Sequence, residues 1–230
     1  MKNKEEIFES IKNEVIVSCQ ALPEEPLHSA FIMGRMAYAA FLGGAKGIRA
    51  NSVVDIIEIK KTVDLPIIGI IKKVYGDCPV FITPTMAEID ALCEEGVEII
   101  ALDATTRLRP DGKTIEEVFP EIRKKYPNQV FMADCSSYND AMVAAGLGFD
   151  CLGSTLAGYT EESKGIKLPD IGLIKRMVTD FELPVIAEGG ISTPEELKEV
   201  FEQGVHAAVV GSAITRPMEI TKRFIQAVKK

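Results

Sequence analysis

Short apolar runs in this chain repeatedly end on a side chain that can do chemistry: Gln20, Arg49, Lys72, Asp103, Asp134, Ser154 or Thr155, and Glu188. The lysine stands out. Held in a dry cavity, an ammonium loses hydration and its pKa falls toward neutrality. It can then act as a base, or as a nucleophile toward a carbonyl. The plainer alternative is a structural ion pair with Asp103 or Asp134, or charges that simply face water where strands end. Alternation separates Lys72 from its neighbour. Ile68, Ile70 and Lys72 share one face of an extended run and Ile71 and Lys73 the other, so Lys73 reads as a solvated charge opening a loop.

Two glycine turns suggest a place for an anion. The run Pro184–Glu188 is followed by Gly189 and Gly190, then by Thr193-Pro194-Glu195-Glu196, a capping box with proline at the first helical position. A second turn, Gly211-Ser212, leads to Arg216. Glycine lets backbone N–H groups approach a ligand closely. Gly189, Gly190, Gly211 and Ser212 can therefore cradle phosphate oxygens, and Arg216 can add a bidentate contact. Either turn alone is an ordinary connection, the second with a surface arginine. Together they favour phosphate.

These groups must be positioned by something. Eight apolar runs recur, at Glu14–Gln20, Ala45–Asn51, Leu65–Lys72, Val97–Asp103, Val130–Asp134, Phe149–Thr155, Pro184–Glu188 and Ala207–Gly211. Helix-like stretches separate many of them. Phe31–Phe41 is one, and another opens on the capping box Thr85/Glu88 and stops at Gly96. Ser137 is placed to cap Tyr138–Ala145, ending at Gly146; Leu168–Phe181 and a closing Thr221–Lys230 follow. Met1–Asn13 reads as a short amphipathic helix with Ile7, Phe8 and Ile11 on one face. Val74–Thr83, with Gly76 and Pro79, reads as a longer loop carrying a small extra strand. Eight strand–helix repeats without a linker predict an α/β fold, one (β/α)8 barrel over residues 1–230, rather than an open sheet of eight strands. In such a barrel the C-terminal strand ends converge on one cavity.

Composition narrows the partners. The 230 residues are 47% hydrophobic, enough to bury one core. A net charge of −8 argues against nucleic acid as the main partner. Five cysteines, odd in number and without metal-like spacing, point to a reducing compartment. No apolar run is long enough to span a bilayer, and residues 1–13 lack a signal-peptide core, so a soluble cytoplasmic chain is expected. The two histidines, His28 and His206, are far apart, and no His/Asp/Glu cluster has metal-ligand spacing, which predicts a metal-free site. His28 fits helix entry better than a site role.

The ordered motifs resemble the N-acylglucosamine-6-phosphate 2-epimerase family. They are Val17–Ala21 with Pro26–Ser29, Ile48–Asn51, Ile68–Lys72, Ile82–Thr85, Ala101–Thr105, Met132–Asp134, Gly158–Thr160, Ile186–Glu188 and Val210–Pro217. Collinear from residue 15 to 217, they cover nearly the whole chain. The resemblance implies a TIM barrel that interconverts N-acetylmannosamine 6-phosphate and N-acetylglucosamine 6-phosphate in sialic acid breakdown, without metal or nucleotide, as a homodimer. It puts the family's catalytic lysine and glutamate on Lys72 and Glu188, substrate-binding residues on Gln20, Arg49 and Asp134, and a phosphate-binding arginine on Arg216. Asp103 and Thr155, on the same expected rim, are further candidates for sugar contacts. Inverting C2 through an enolate needs two proton-exchanging groups flanking that carbon, and strands three and seven lie nearly opposite in a ring of eight. A Schiff-base lyase, a metal-dependent pentulose-phosphate 3-epimerase and a non-catalytic phosphosugar sensor are the rival readings on the same fold.

Overall fold

A computed structural model describes residues 3–229; Met1 and Lys2 of the expected N-terminal helix, and Lys230 of the closing one, lie outside the described residues. Eight parallel strands close into a barrel in sequence order. They are β1 (Glu14–Cys19), β2 (Gly47–Asn51), β3 (Ile67–Ile70), β4 (Ile99–Asp103), β5 (Val130–Asp134), β6 (Cys151–Gly153), β7 (Val185–Glu188) and β8 (Ala207–Val210). The helices are α1 (Lys4–Ile11), α2 (Ala30–Leu42), α3 (Val53–Lys60), α4 (Met86–Glu94), α5 (Ile115–Lys125), α6 (Tyr138–Leu147), α7 (Ile171–Asp180), α8 (Pro194–Glu202), α9 (Ser212–Thr215) and α10 (Pro217–Val228). All eight expected strands are present. Most are shorter than their apolar runs, because their ends bend away to join helices.

Alternation along the strands sorts side chains between two cores. Ile16, Ile68, Ile70, Ile99, Ala101, Val130, Met132, Cys151, Ile186, Ala207 and Val209 fill the barrel interior. Their neighbours, among them Ile48, Ile67, Ile100, Phe131, Leu152 and Val185, pack outward against the helices. Period-two geometry then carries the inward face to the top of each strand. Two residues beyond Ile16 is Ser18, and beyond Ile70, Met132 and Ile186 come Lys72, Asp134 and Glu188. Arg49 has the same parity, since Ile48 and Ala50 face the helices. The N-terminal end of the barrel is stopped by α1. Asn3 and Glu6 form its capping box, and Ile7, Phe8 and Ile11 join the interior core.

Capping signals mark the helix starts well. Thr85 with Glu88 and Thr193 with Glu196 form both hydrogen bonds of the box, and Pro194 takes the first turn of α8. Three boundaries differ from expectation. Helix α6 runs through Gly146 and ends at Gly148, the residue that takes the left-handed conformation at φ 87°. Helix α7 starts at Ile171, where Asp170 accepts the N–H of Leu173, not at Leu168. Helix α10 starts at Pro217, four residues before Thr221, because proline pre-sets the first helical turn. Helices α3, α5 and α9 had no expected counterpart. Within the long loop, the small extra strand is an antiparallel bridge between Lys72 and Ile82. No helix among the described residues is long and apolar enough to cross a membrane.

Candidate active site

The C-terminal barrel mouth opens into a cavity of about 190 Å³. Lys72, Glu188 and Gln20 line it together with Thr155, Gly189, Gly190, Gly211, Ser212 and Arg216. Beneath it lies a sealed polar layer. Arg49, only 1% exposed, donates to both Asp134 oxygens at 3.1 and 2.6 Å and reaches Glu188 Oε2 at 2.9 Å. Thr155 Oγ1 stands 2.7 Å from Asp134 and 3.2 Å from Glu188. A hydroxyl has one proton, so it donates to one carboxylate at a time and can accept from the other when that one is protonated. Gly153 makes room for this packing, since a Cβ there would overlap the end of Met132.

One guanidinium therefore serves two carboxylates, and it does not serve them equally. Asp134 holds it bidentately, the stronger geometry. Glu188 has one contact. Burial raises the Glu188 pKa, the Arg49 cation partly opposes this, and the nearby Asp134 charge pushes it up further. Glu188 is thus the carboxyl of this layer that can gain a proton near neutral pH, and it is also the one that faces the cavity. Its backbone is clamped by Ser154, whose hydroxyl donates to the Glu188 carbonyl at 2.8 Å and accepts its N–H at 3.1 Å.

Across the mouth, Lys72 is held by its backbone and left free at its tip. Its N–H donates to Asn51 Oδ1 at 2.7 Å. The bridge to Ile82 is reinforced by Lys73 N–H to Phe81 O at 2.9 Å and Thr83 N–H to Ile71 O at 2.8 Å. The ammonium makes no ion pair among the described residues. Asp134 is committed to Arg49, and Asp103 to Arg107 at 2.7 Å. Burial lowers the Lys72 pKa to about 8, and the positive charges of Arg49 and Arg216 add to the effect. Lys73 does not line the cavity; it is exposed, as its position suggested, and pairs with Glu88 at 3.2 Å.

Several expected sugar ligands occupy other places. Arg49 and Asp134 form the floor and are not on the cavity wall. Asp103 is fully buried, accepts from the Thr105 hydroxyl and backbone and from Arg107, and does not reach the cavity. Gln20 does reach it; its Nε2 donates to Ser18 at 2.9 Å, and its buried Oε1 has no partner among the described residues. His28 donates from Nδ1 to Ala21 O at 3.0 Å, and His206 from Nε2 to Phe8 O at 2.8 Å at the opposite end of the barrel. Ser18, Phe81, Tyr159 and Thr215 also line the cavity. Tyr159, Ser18 and Thr215 sit in the motifs Gly158–Thr160, Val17–Ala21 and Val210–Pro217, which were their visible signal; Phe81, just before Ile82–Thr85, had none. Among the described residues no group of three or more His, Cys, Asp or Glu could hold a metal ion.

At the far end, Gly189 and Gly190 have φ of 110° and 74°, a region that side chains strain to enter. A Cβ on Gly190 would also overlap Leu168 Cβ. Gly190→Ala is expected to cost about 1–3 kcal/mol by overpacking. It should raise KM for a phosphorylated substrate more than it lowers kcat. Thermal melts and steady-state kinetics check both.

The fold and site define a class: a (β/α)8 barrel with glycine turns lining the mouth after strands seven and eight and a lysine–carboxyl pair across it. Comparison with known proteins names the family. Residues 33–230 match a family model described as "Putative N-acetylmannosamine-6-phosphate epimerase". A Borrelia garinii subsp. bavariensis protein named "Putative N-acetylmannosamine-6-phosphate 2-epimerase" is 56% identical over 227 residues, covering 97% of this chain and 98% of that one. A Clostridioides difficile protein of the same name is 53% identical over 223 residues, covering 97% and 99%. The solved N-acetylmannosamine-6-phosphate 2-epimerase from Clostridium perfringens superimposes with a TM-score of 0.93 at 49% identity, covering 99% of each chain. The chain belongs to the N-acetylmannosamine-6-phosphate 2-epimerase family of isomerases. A thiamine phosphate pyrophosphorylase from Pyrococcus furiosus, at 18% identity and a TM-score of 0.59, shares the fold alone.

Proposed function

We propose that this protein interconverts N-acetylmannosamine 6-phosphate and N-acetylglucosamine 6-phosphate by removing and returning the C2 proton of the open-chain sugar. The observation that carries this reading is the lysine–carboxyl pair at the mouth, one group with its pKa lowered to about 8 and the other with its pKa raised. With C1 as an aldehyde, one group takes the C2 proton and the electron pair delocalises onto O1. The other group then delivers a proton to the opposite face of C2, and the electron pair returns from O1. Neutral Lys72 with protonated Glu188 is the starting state for one direction. That turnover leaves protonated Lys72 and ionised Glu188, the starting state for the reverse direction. Close pKa values keep the two states comparable in population.

In this reading Arg49, Asp134 and Thr155 hold Glu188 and set its proton affinity. Gln20 Oε1 is available to a donor on the sugar. The N–H groups of the Gly189-Gly190 and Gly211-Ser212 turns, with Arg216, receive the phosphate. The reaction belongs to amino-sugar breakdown, with sialic acid a source of the substrate, in the cytoplasm. The deciding experiment follows the sugar by NMR in D₂O. Conversion with deuterium entering C2 is expected; a folded protein that binds the phosphosugar with neither exchange nor conversion would leave only a sensor or lyase reading.

A homodimer is part of the same proposal. None of the described residues of α10 is buried, and Phe224 and Val228 are 76% and 81% exposed. A groove of about 450 Å³ beside α2, lined by Val15, Val17, Met36, Ala40 and Ile214, offers further apolar surface. A second copy covering these surfaces accounts for both. Light scattering should give twice the chain mass, and Phe224→Glu should shift the protein toward monomer. A monomer at micromolar concentration would sink the proposal.

A further inference from the structure

Arg216 sits at the junction of α9 and α10, closing one helix and opening the next without a side-chain cap of its own. Its guanidinium is instead held from the β1–α2 connection. Glu25 Oε1 lies 2.8 Å from Nε and Oε2 lies 2.9 Å from Nη2. Glu25 is itself anchored. Its Oε2 accepts the N–H of Leu22 at 2.7 Å, its own N–H donates to Leu22 O at 2.8 Å, and the N–H of His28 donates to its carbonyl at 3.0 Å. The pair is partly shielded, with side chains 15% and 30% exposed.

A planar guanidinium has two double-donor edges. Glu25 occupies the edge formed by Nε and Nη2. The other edge, Nη1 with the second Nη2 hydrogen, has no protein partner among the described residues, and Arg216 lines the cavity. We propose that Glu25 is a positioning residue that turns Arg216 to receive the 6-phosphate end-on, on that free edge. This rests on the reading of Arg216 as a phosphate-binding residue. An arginine used purely as a positive charge would attract phosphate more strongly without an adjoining carboxylate, so the contribution of Glu25 is geometric. A second cavity gives the geometry something to oppose. Gln20, Thr215 and Arg216 also line an apolar space of about 170 Å³ with Pro26, Leu27, Pro217 and Met218. Released from Glu25, the Arg216 side chain can fold its methylenes over that space and leave the phosphate end.

The test is a double-mutant cycle with Glu25→Ala, Arg216→Ala and the pair, using steady-state kinetics on N-acetylmannosamine 6-phosphate and inhibition by inorganic phosphate. Arg216→Ala is expected to raise KM by about 100-fold, as for loss of charge-assisted hydrogen bonds. Glu25→Ala should raise KM, and the inhibition constant for inorganic phosphate, by about tenfold with kcat within about twofold. The double variant should be no worse than Arg216→Ala alone. Glu25→Gln keeps two acceptor or donor atoms in place and should fall between wild type and Glu25→Ala; it supplies the same comparison if the alanine variant does not fold. If Arg216→Ala raises KM but neither Glu25 variant does, the positioning role fails and the phosphate reading stands. A Glu25 effect of equal size in the Arg216→Ala background, or one confined to kcat, also overturns the positioning role. If Arg216→Ala leaves KM and phosphate inhibition unchanged, both readings fall.

Discussion

Replacing Lys72 with methionine is expected to slow both epimerisation and deuterium exchange at C2 by about 10³-fold or more, the scale of losing a positioned acid–base group. The fold should survive. The ammonium has no ion pair among the described residues, its backbone is fixed by Asn51 and Ile82, and the lowered pKa means that the folded protein already disfavours its charge. An unchanged or raised melting temperature is therefore expected near neutral pH. The wild-type rate should trace a bell against pH. At low pH both Lys72 and Glu188 are protonated and no base is available; at high pH both are deprotonated and no acid is available. With the Glu188 pKa raised, the acid limb lies above the usual carboxylate range. With Lys72 lowered to about 8, the alkaline limb lies well below that of an ordinary lysine. The two limbs belong to the coupled pair. A methionine variant that keeps near-wild-type exchange would remove Lys72 from the chemistry.

Arg49→Met should give the largest loss of stability. The guanidinium lies 1% exposed between Asp134 and Glu188, and removing it strands two carboxyls in the barrel floor. Breaking a buried pair by deleting one partner costs about 3–5 kcal/mol. The cost should depend on pH. Without the cation the folded-state pKa of Glu188, already raised by burial, lies further above its unfolded value, so the folded form binds more protons than the unfolded one. Stability of the variant then falls as pH rises from the unfolded carboxylate pKa toward the folded one, and is greatest in mild acid. Denaturant melts at several pH values measure this. A loss below about 1 kcal/mol, or one that shrinks as pH rises, would contradict the floor as described.

Much of this molecule is legible from local order. Strand runs and capping boxes depend on neighbours three or four residues away, so eight strands and the start of α4 or α8 follow from short stretches of chain. Parity along a strand is equally local. It places Lys72 on the side of Ile68 and Ile70, and the structure puts all three on the inward face. The glycine turn after strand seven announces itself by residue type, since Gly189 and Gly190 enter the left-handed region at little cost.

What a strand end touches is decided differently, because it depends on side chains brought together from distant parts of the chain. Asp103 and Asp134 look alike as acidic residues ending apolar runs. Arg107, four residues on, turns Asp103 away from the cavity, whereas Arg49, from a strand 85 residues earlier, draws Asp134 into the floor. The same closure makes Glu188 the second, more weakly held carboxylate on one cation, which a list of strand ends does not reveal. Glu25 and Arg216 are 191 residues apart and meet because β1 and β8 are hydrogen-bonded neighbours across the barrel seam. Residue type and spacing determine which groups reach the mouth; closure of the barrel determines how they share charge.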